Sequence, residues 1–186
     1  VVSRRTPADL HAALEALPEH QVGEILGGEL HVQPRPAKPH ARAASKLAIT
    51  LGGAFYRGVD GPGGWVILLE PELRLGADVL VPDLAGWRRE HLRGDDDLPY
   101  FTRAPDWVCE VSSPSTRRAD RVLKLPIYAR EGVGHAWLVE PGEQLIEVFR
   151  RDSLLWTLVV AVTGSAPQAL EPFEAVPLDL AFLWAG

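Results

Sequence analysis

Trp107-Val108-Cys109-Glu110-Val111, followed by Ser112-Ser113-Pro114-Ser115-Thr116 and then by Arg117 to Glu131, reads as a short apolar strand, a turn and a helix. The strand starts at Asp106, and Pro126 predicts a kink in the helix because proline cannot complete the backbone ladder. Downstream, His135 to Glu140 and Leu145 to Phe149 read as strands around Pro141 and Gly142. A third, Leu154 to Val160, follows Asp152 and Ser153. Upstream lie three strand candidates, Trp65 to Leu69, Leu73 to Leu75 and Val79 to Trp87, and then a polar insertion from Arg88 to Arg103. The acidic run Asp95 to Asp97 in that insertion reads as a solvated loop.

Further towards the start, Ala44, Leu47, Ala48, Leu51 and Phe55 recur at helical spacing within His40 to Arg57, after the proline-rich stretch Pro34 to Pro39. Gln21 to Gln33 reads as a β-hairpin turning at Gly27 and Gly28. Thr6, Pro7 and Asp9 form a helix-start signature ahead of Leu10, Ala13, Leu14 and Leu17, with an end near Pro18. The order of elements predicts an α/β (α+β) fold, a mixed central sheet flanked by helices with an N-terminal helix and β-hairpin. The 186 residues are expected to form a single domain over 1–186, with no repeat and no interdomain linker.

The 19 basic and 25 acidic residues leave a formal charge of −6. This excludes a protein that holds nucleic acid by bulk positive potential, but not a carboxylate-rich catalytic site whose charge a bound cation offsets. Cys109 is the only cysteine, so no intramolecular disulfide forms, and its apolar neighbours predict a buried thiol. The segment Val1 to Leu10 lacks the basic head and apolar run of a signal peptide, and no apolar stretch approaches the ~20 residues of a membrane span. A soluble, cytoplasmic protein is expected.

Two carboxylates lie where apolar strands disfavour them, Asp83 in Val79-Leu80-Val81-Pro82-Asp83-Leu84-Ala85 and Glu110 in Trp107 to Val111. Burying an unpaired carboxylate costs several kcal/mol, on the order of the effective penalty per ion. Two neighbouring strands that converge on a hard divalent cation would offset that penalty; strand ends open to water, or arginine partners, would do so too. Lys124 shares a helix face with Asp120 and Tyr128, and its ammonium near a metal would orient water and offset phosphoryl charge. The plainer alternative is an exposed Asp120–Lys124 pair. Arg117 and Arg118 occupy the helix's first turn against its dipole, which an anion such as a phosphate bound there would explain, as would simple solvation. No zinc-ligand spacing, phosphate-binding glycine loop or Gly-x-Ser-x-Gly elbow is present.

At these residues the chain resembles the Uma-type family of bacterial restriction endonucleases, within the PD-(D/E)XK nuclease superfamily. The resemblance rests on Val81-Pro82-Asp83-Leu84-Ala85 and on Pro105 through Thr116, continues through Lys124, Tyr128, Gly132-Val133 and Trp137-Leu138-Val139, and includes Gly28-Glu29-Leu30 and His40. It implies a restriction-endonuclease-like core and a Mg²⁺-dependent site, with Mn²⁺ as a substitute, that hydrolyses DNA phosphodiesters. Asp83 and Glu110 would be metal ligands together with the Val111 carbonyl, and Lys124 would be catalytic. The superfamily's lysine stands two positions after the acidic residue, where this chain has Ser112, so the resemblance implies that the lysine has migrated to the helix. Glu24 and Glu70 are second-tier carboxylates that would extend the site, and His40, at a helix start, is a further candidate. The competing expectation is a catalytically silent nuclease-like fold that binds nucleic acid or protein. The tail from Glu171 to Trp184 is expected to cover the chain's own core, with a homodimer left open.

Overall fold

The computed structural model describes residues 6–34, 37–92 and 98–185. Two sheets carry the architecture. The smaller, of order β2-β1-β5-β4, combines the hairpin β1 (Gln21–Leu26) and β2 (Glu29–Pro34) with β5 (Asp78–Leu80) and β4 (Leu73–Leu75). The larger has six strands in the order β10-β9-β8-β7-β6-β3: β3 is Trp65–Leu69, β6 Leu84–Arg88, β7 Trp107–Val111, β8 His135–Glu140, β9 Leu145–Asp152 and β10 Leu155–Thr163. All neighbours in it run antiparallel except β7 and β8, whose connection is the helical stretch that follows Ser112 to Thr116. Strand β7 lies in mid-sheet and is buried throughout, which explains its unbroken apolar run.

Alternation along β7 divides the core. Trp107, Cys109 and Val111 enter one apolar cluster with α2 (Lys38–Leu51), Phe173 and the tail residues Leu180 and Leu183; Val108 enters the other with Leu125, Ile127, Tyr128 and the smaller sheet's Leu73, Leu75 and Leu80. Phe173 lies at the hub of the first cluster, its ring 4.7 Å from those of Phe55 and Trp65, 4.9 Å from Trp107 and 5.7 Å from Trp137. The tail therefore fills this chain's own core. Gly86 in β6 makes room for the same cluster, since a Cβ there would lie 3.1 Å from Trp107 and 3.3 Å from Trp65. Both indoles are held on all sides, so Gly86→Ala is expected to lower stability by about 1–3 kcal/mol in urea unfolding, without changing the denaturant slope.

The hairpin, the strands β3 and β4 and the helix starting at Pro7 form where the sequence places them. That first helix, α1 (Pro7–Glu15), has Thr6 and Asp9 capping one another. The expected single strand Val79 to Trp87 is instead broken: β5 belongs to the smaller sheet and β6 to the larger, and Val81-Pro82-Asp83 carries the chain between them. Pro82 has no N–H for a ladder, and the Val81 N–H is taken by the Glu24 side chain. The expected kink at Pro126 is resolved differently as well. After α3 (Arg117–Ala119) the chain winds as a π-turn over Asp120–Lys124, the Leu125 N–H reaching back to the Asp120 carbonyl. Pro126 then falls in the first turn of α4 (Leu125–Glu131), where its missing N–H is no loss. The helix expected over His40 to Arg57 is α2 closed by a second π-turn, Gly52–Tyr56. The acidic run Asp95 to Asp97 lies outside the described residues, and among those described no helix is long and apolar enough to cross a membrane.

Candidate active site

Ladder arithmetic brings the acidic residues together. In the β6–β7 pair Leu84 faces Cys109 and Ala85 faces Val108, so one further step sets Asp83 beside Glu110. In the β3–β6 pair Leu69 faces Leu84, so the same step sets Glu70 beside Asp83, and the Glu70 N–H indeed donates to the Asp83 carbonyl at 3.1 Å. Glu70, Asp83 and Glu110 thus form a row across three strand ends. Asp83 Oδ2 accepts the Val111 N–H at 2.6 Å, fixing it to the residue after Glu110.

Glu110 points to the face of the sheet covered by α4, opposite α2. Its Oε2 lies 3.1 Å from Lys124 Nζ and its Oε1 accepts the Tyr128 hydroxyl at 2.6 Å. The π-turn and the start of α4 bring Asp120, Lys124 and Tyr128 to one buried face, so Lys124 is not the exposed partner of Asp120. Lys124 Nζ also lies 2.9 Å from Glu24 Oε1 and 3.7 Å from Asp120 Oδ1. Ser112 donates to Asp120 Oδ2 at 2.8 Å. Glu24, Glu110, Asp120 and Lys124 are all almost wholly buried, whereas Asp83 is partly open.

Electrostatics follow from this crowding. Burial pushes the Glu110 carboxyl well up, against the pull of Lys124, and Asp120, Asp83 and Glu24 push it further. Burial likewise raises Asp120, opposed by Lys124. Burial alone would lower the Lys124 ammonium, but the combined attraction of Glu110, Glu24 and Asp120 exceeds it and holds the group well above its ordinary value. Burial and then Glu110 raise Tyr128, which stays a hydroxyl donor. Burial and then Asp83 keep the Cys109 thiol protonated.

His40, in the first turn of α2, turns its Nε2 to Asp83 Oδ1 at 3.0 Å, while its Nδ1 is buried without a partner among the described residues. His40, Ser45, Leu69, Glu70 and Asp83 line a cavity of about 230 Å³, which Glu110 and Lys124 do not line. Glu70 is exposed, with φ +47°. Arg117 and Arg118 are not part of this assembly. Arg117 is paired with the buried Glu140 beside a separate cleft that also holds Arg121, Glu143 and Glu147, and Arg118 is exposed. Sequence reasoning offered Asp120 only as an exposed partner of Lys124 and gave Ser112 and Tyr128 no partner. Their signals were present, in the strand alternation that sets Ser112 on the Glu110 face and the four-residue spacing from Asp120 to Lys124 to Tyr128.

Three carboxylates, Glu24, Glu110 and Asp120, surround one ammonium, and Asp83 lies beside them on the Val111 N–H, an excess of hard oxygen donors that fits a divalent cation in kind. Among the described residues no three side chains of His, Cys, Asp or Glu are grouped ready to hold an ion. Mg²⁺ needs only one or two carboxylates when it retains several waters, and two carboxylates with a backbone carbonyl meet that need.

The fold is similar to that of a solved structure from Anabaena variabilis ATCC 29413, described as a "putative nuclease belonging to DUF820", with a TM-score of 0.75 over 94% of this chain and 96% of that one. At 19% identity the likeness shows the fold alone. No curated protein matches the chain. The model of the Uma2 family, described as "Putative restriction endonuclease", matches residues 9–182, nearly all of the sequence that builds both sheets and the site between them, and the chain belongs to that family.

Proposed function

We propose that this chain is a metal-dependent nuclease that hydrolyses DNA phosphodiester bonds at the Asp83, Glu110 and Lys124 site. The observation that carries the reading is the meeting of Asp83 and Glu110 at the junction of the two sheets, with the Lys124 ammonium against Glu110. Asp83, Glu110 and the Val111 carbonyl would hold Mg²⁺, or Mn²⁺ in its place, and the ion would supply electrophilic stabilisation of the phosphoryl oxygens. Lys124, kept protonated by its three carboxylates, acts as a fixed positive charge and hydrogen-bond donor rather than as a base. Tyr128 orients Glu110, and His40 orients Asp83 at the mouth of the cavity.

A second reading, a silent nuclease-like fold that binds nucleic acid or protein, is favoured by one observation. Every carboxylate oxygen of Asp83 and Glu110 already has an internal partner. The test is incubation of the purified chain with supercoiled plasmid and linear single-stranded DNA in Mg²⁺ or Mn²⁺, beside EDTA controls and Asp83→Asn. Cleavage that needs the metal and is lost in the folded variant supports the nuclease; wild-type protein inert across metals and substrates supports the silent fold.

A further inference from the structure

Glu24 Oε1 serves two elements at once. It lies 2.9 Å from Lys124 Nζ and accepts the Val81 N–H at 2.8 Å. The β1–β5 ladder has a single registered pair, Ile25 with Val79, so this carboxylate supplies a hydrogen bond that the ladder does not extend to Val81. Val81 is joined through rigid Pro82 to Asp83, Asp83 accepts the Val111 N–H, and the neighbouring Glu110 returns to Lys124. The contacts close a ring from Lys124 through Glu24, the Val81–Asp83 segment and β7 back to Lys124.

We infer that Glu24 is a positioning residue that sets Lys124 against the segment bearing Asp83, and that it is not a metal ligand. The inference rests on the nuclease reading for its catalytic consequence. The two lone pairs of Oε1 are directed to two donors, and Oε2 faces the Gln33 amide at 3.5 Å within an almost fully buried side chain. A positioning acceptor tolerates an amide oxygen in its place, whereas a metal site that loses a carboxylate does not.

The experiment compares wild type, Glu24→Gln and Glu24→Asp as full chains by amide hydrogen exchange, Mn²⁺ titration followed by electron paramagnetic resonance, and plasmid cleavage. Glu24→Asp withdraws the oxygen by one methylene, so exchange at Val81 and at Val111, the far side of the ring, is expected to quicken by about tenfold or more with β8 and β9 unchanged. Glu24→Gln is expected to keep exchange and Mn²⁺ affinity within about threefold of wild type. A tenfold or greater loss of Mn²⁺ affinity in Glu24→Gln would assign Glu24 to the metal, and unchanged Val111 exchange in Glu24→Asp would break the ring; either overturns the inference. In cleavage, Glu24→Asp is expected to lose kcat with KM retained, and Glu24→Gln to recover much of that loss. Wild-type protein without cleavage would count against the nuclease reading, and the exchange measurement still decides the positioning role.

Discussion

Lys124→Met is expected to lower folding stability by about 3–5 kcal/mol, measured by urea or thermal unfolding, although the substitution nearly conserves side-chain length and adds no void. The loss comes from what it leaves behind. Glu24, Glu110 and Asp120 are each almost wholly buried and each faces the ammonium within 3.7 Å, and no arginine contacts any of the three among the described residues. Without the lysine, two or three carboxylates must be protonated or left uncompensated in a low-dielectric interior. Adding Glu24→Gln, Glu110→Gln and Asp120→Asn to Lys124→Met is expected to restore most of the stability. Failure of that rescue would mean that the lysine contributes through packing rather than charge.

Glu110→Gln is expected to separate stability from activity in the opposite sense. It removes one of four crowded carboxylates, and the one whose ionised form burial disfavours strongly, while its amide oxygen can still accept from Tyr128 and Lys124 keeps Glu24 and Asp120. Unfolding stability at neutral pH is therefore expected to be unchanged or higher. DNA cleavage in Mg²⁺ is expected to fall by about 10²–10³-fold or more, since charge placed for the transition state is lost. A variant both more stable and inactive is the pattern expected where function keeps costly groups in place. A folded Glu110→Gln with full activity would remove Glu110 from the site.

Much of this was legible in the chain because periodicity records burial. Trp107 to Val111 announces a strand buried on both faces, and a glutamate within it must be compensated by something specific. Asp120, Lys124 and Tyr128 announce one helical face. The division of Val79 to Trp87 between two sheets was less legible, because an apolar run on either side of Pro82 looks alike whichever sheet receives it. Nor could local pattern pair Glu24 with Lys124, a contact made only when the hairpin's sheet closes against the helix. The buried Asp78 and Glu140 were not singled out, and they take Arg130 and Arg117 as partners, the plainer fate that was also open to Asp83 and Glu110.

The passage of the chain between sheets at Val81-Pro82-Asp83 also determines where the sequence tolerates a change of length. The Gly27 N–H is held by Asp78 Oδ1 at 2.6 Å, but a Cβ added at Gly28 meets nothing within 4 Å, so an extra residue beside Gly28 lengthens a loop. Between Val81 and Asp83 an extra residue shifts β6 by one place, and a one-place shift exchanges the two faces of a strand. Trp87 and Ala85 would leave the α4 side, Leu84 and Gly86 would leave the Phe173 side, and Asp83 would lose its place beside Glu110. Insertions and deletions are therefore expected to accumulate in the hairpin turn and to be excluded from these three residues, where spacing is as much a part of the site as the carboxylate itself.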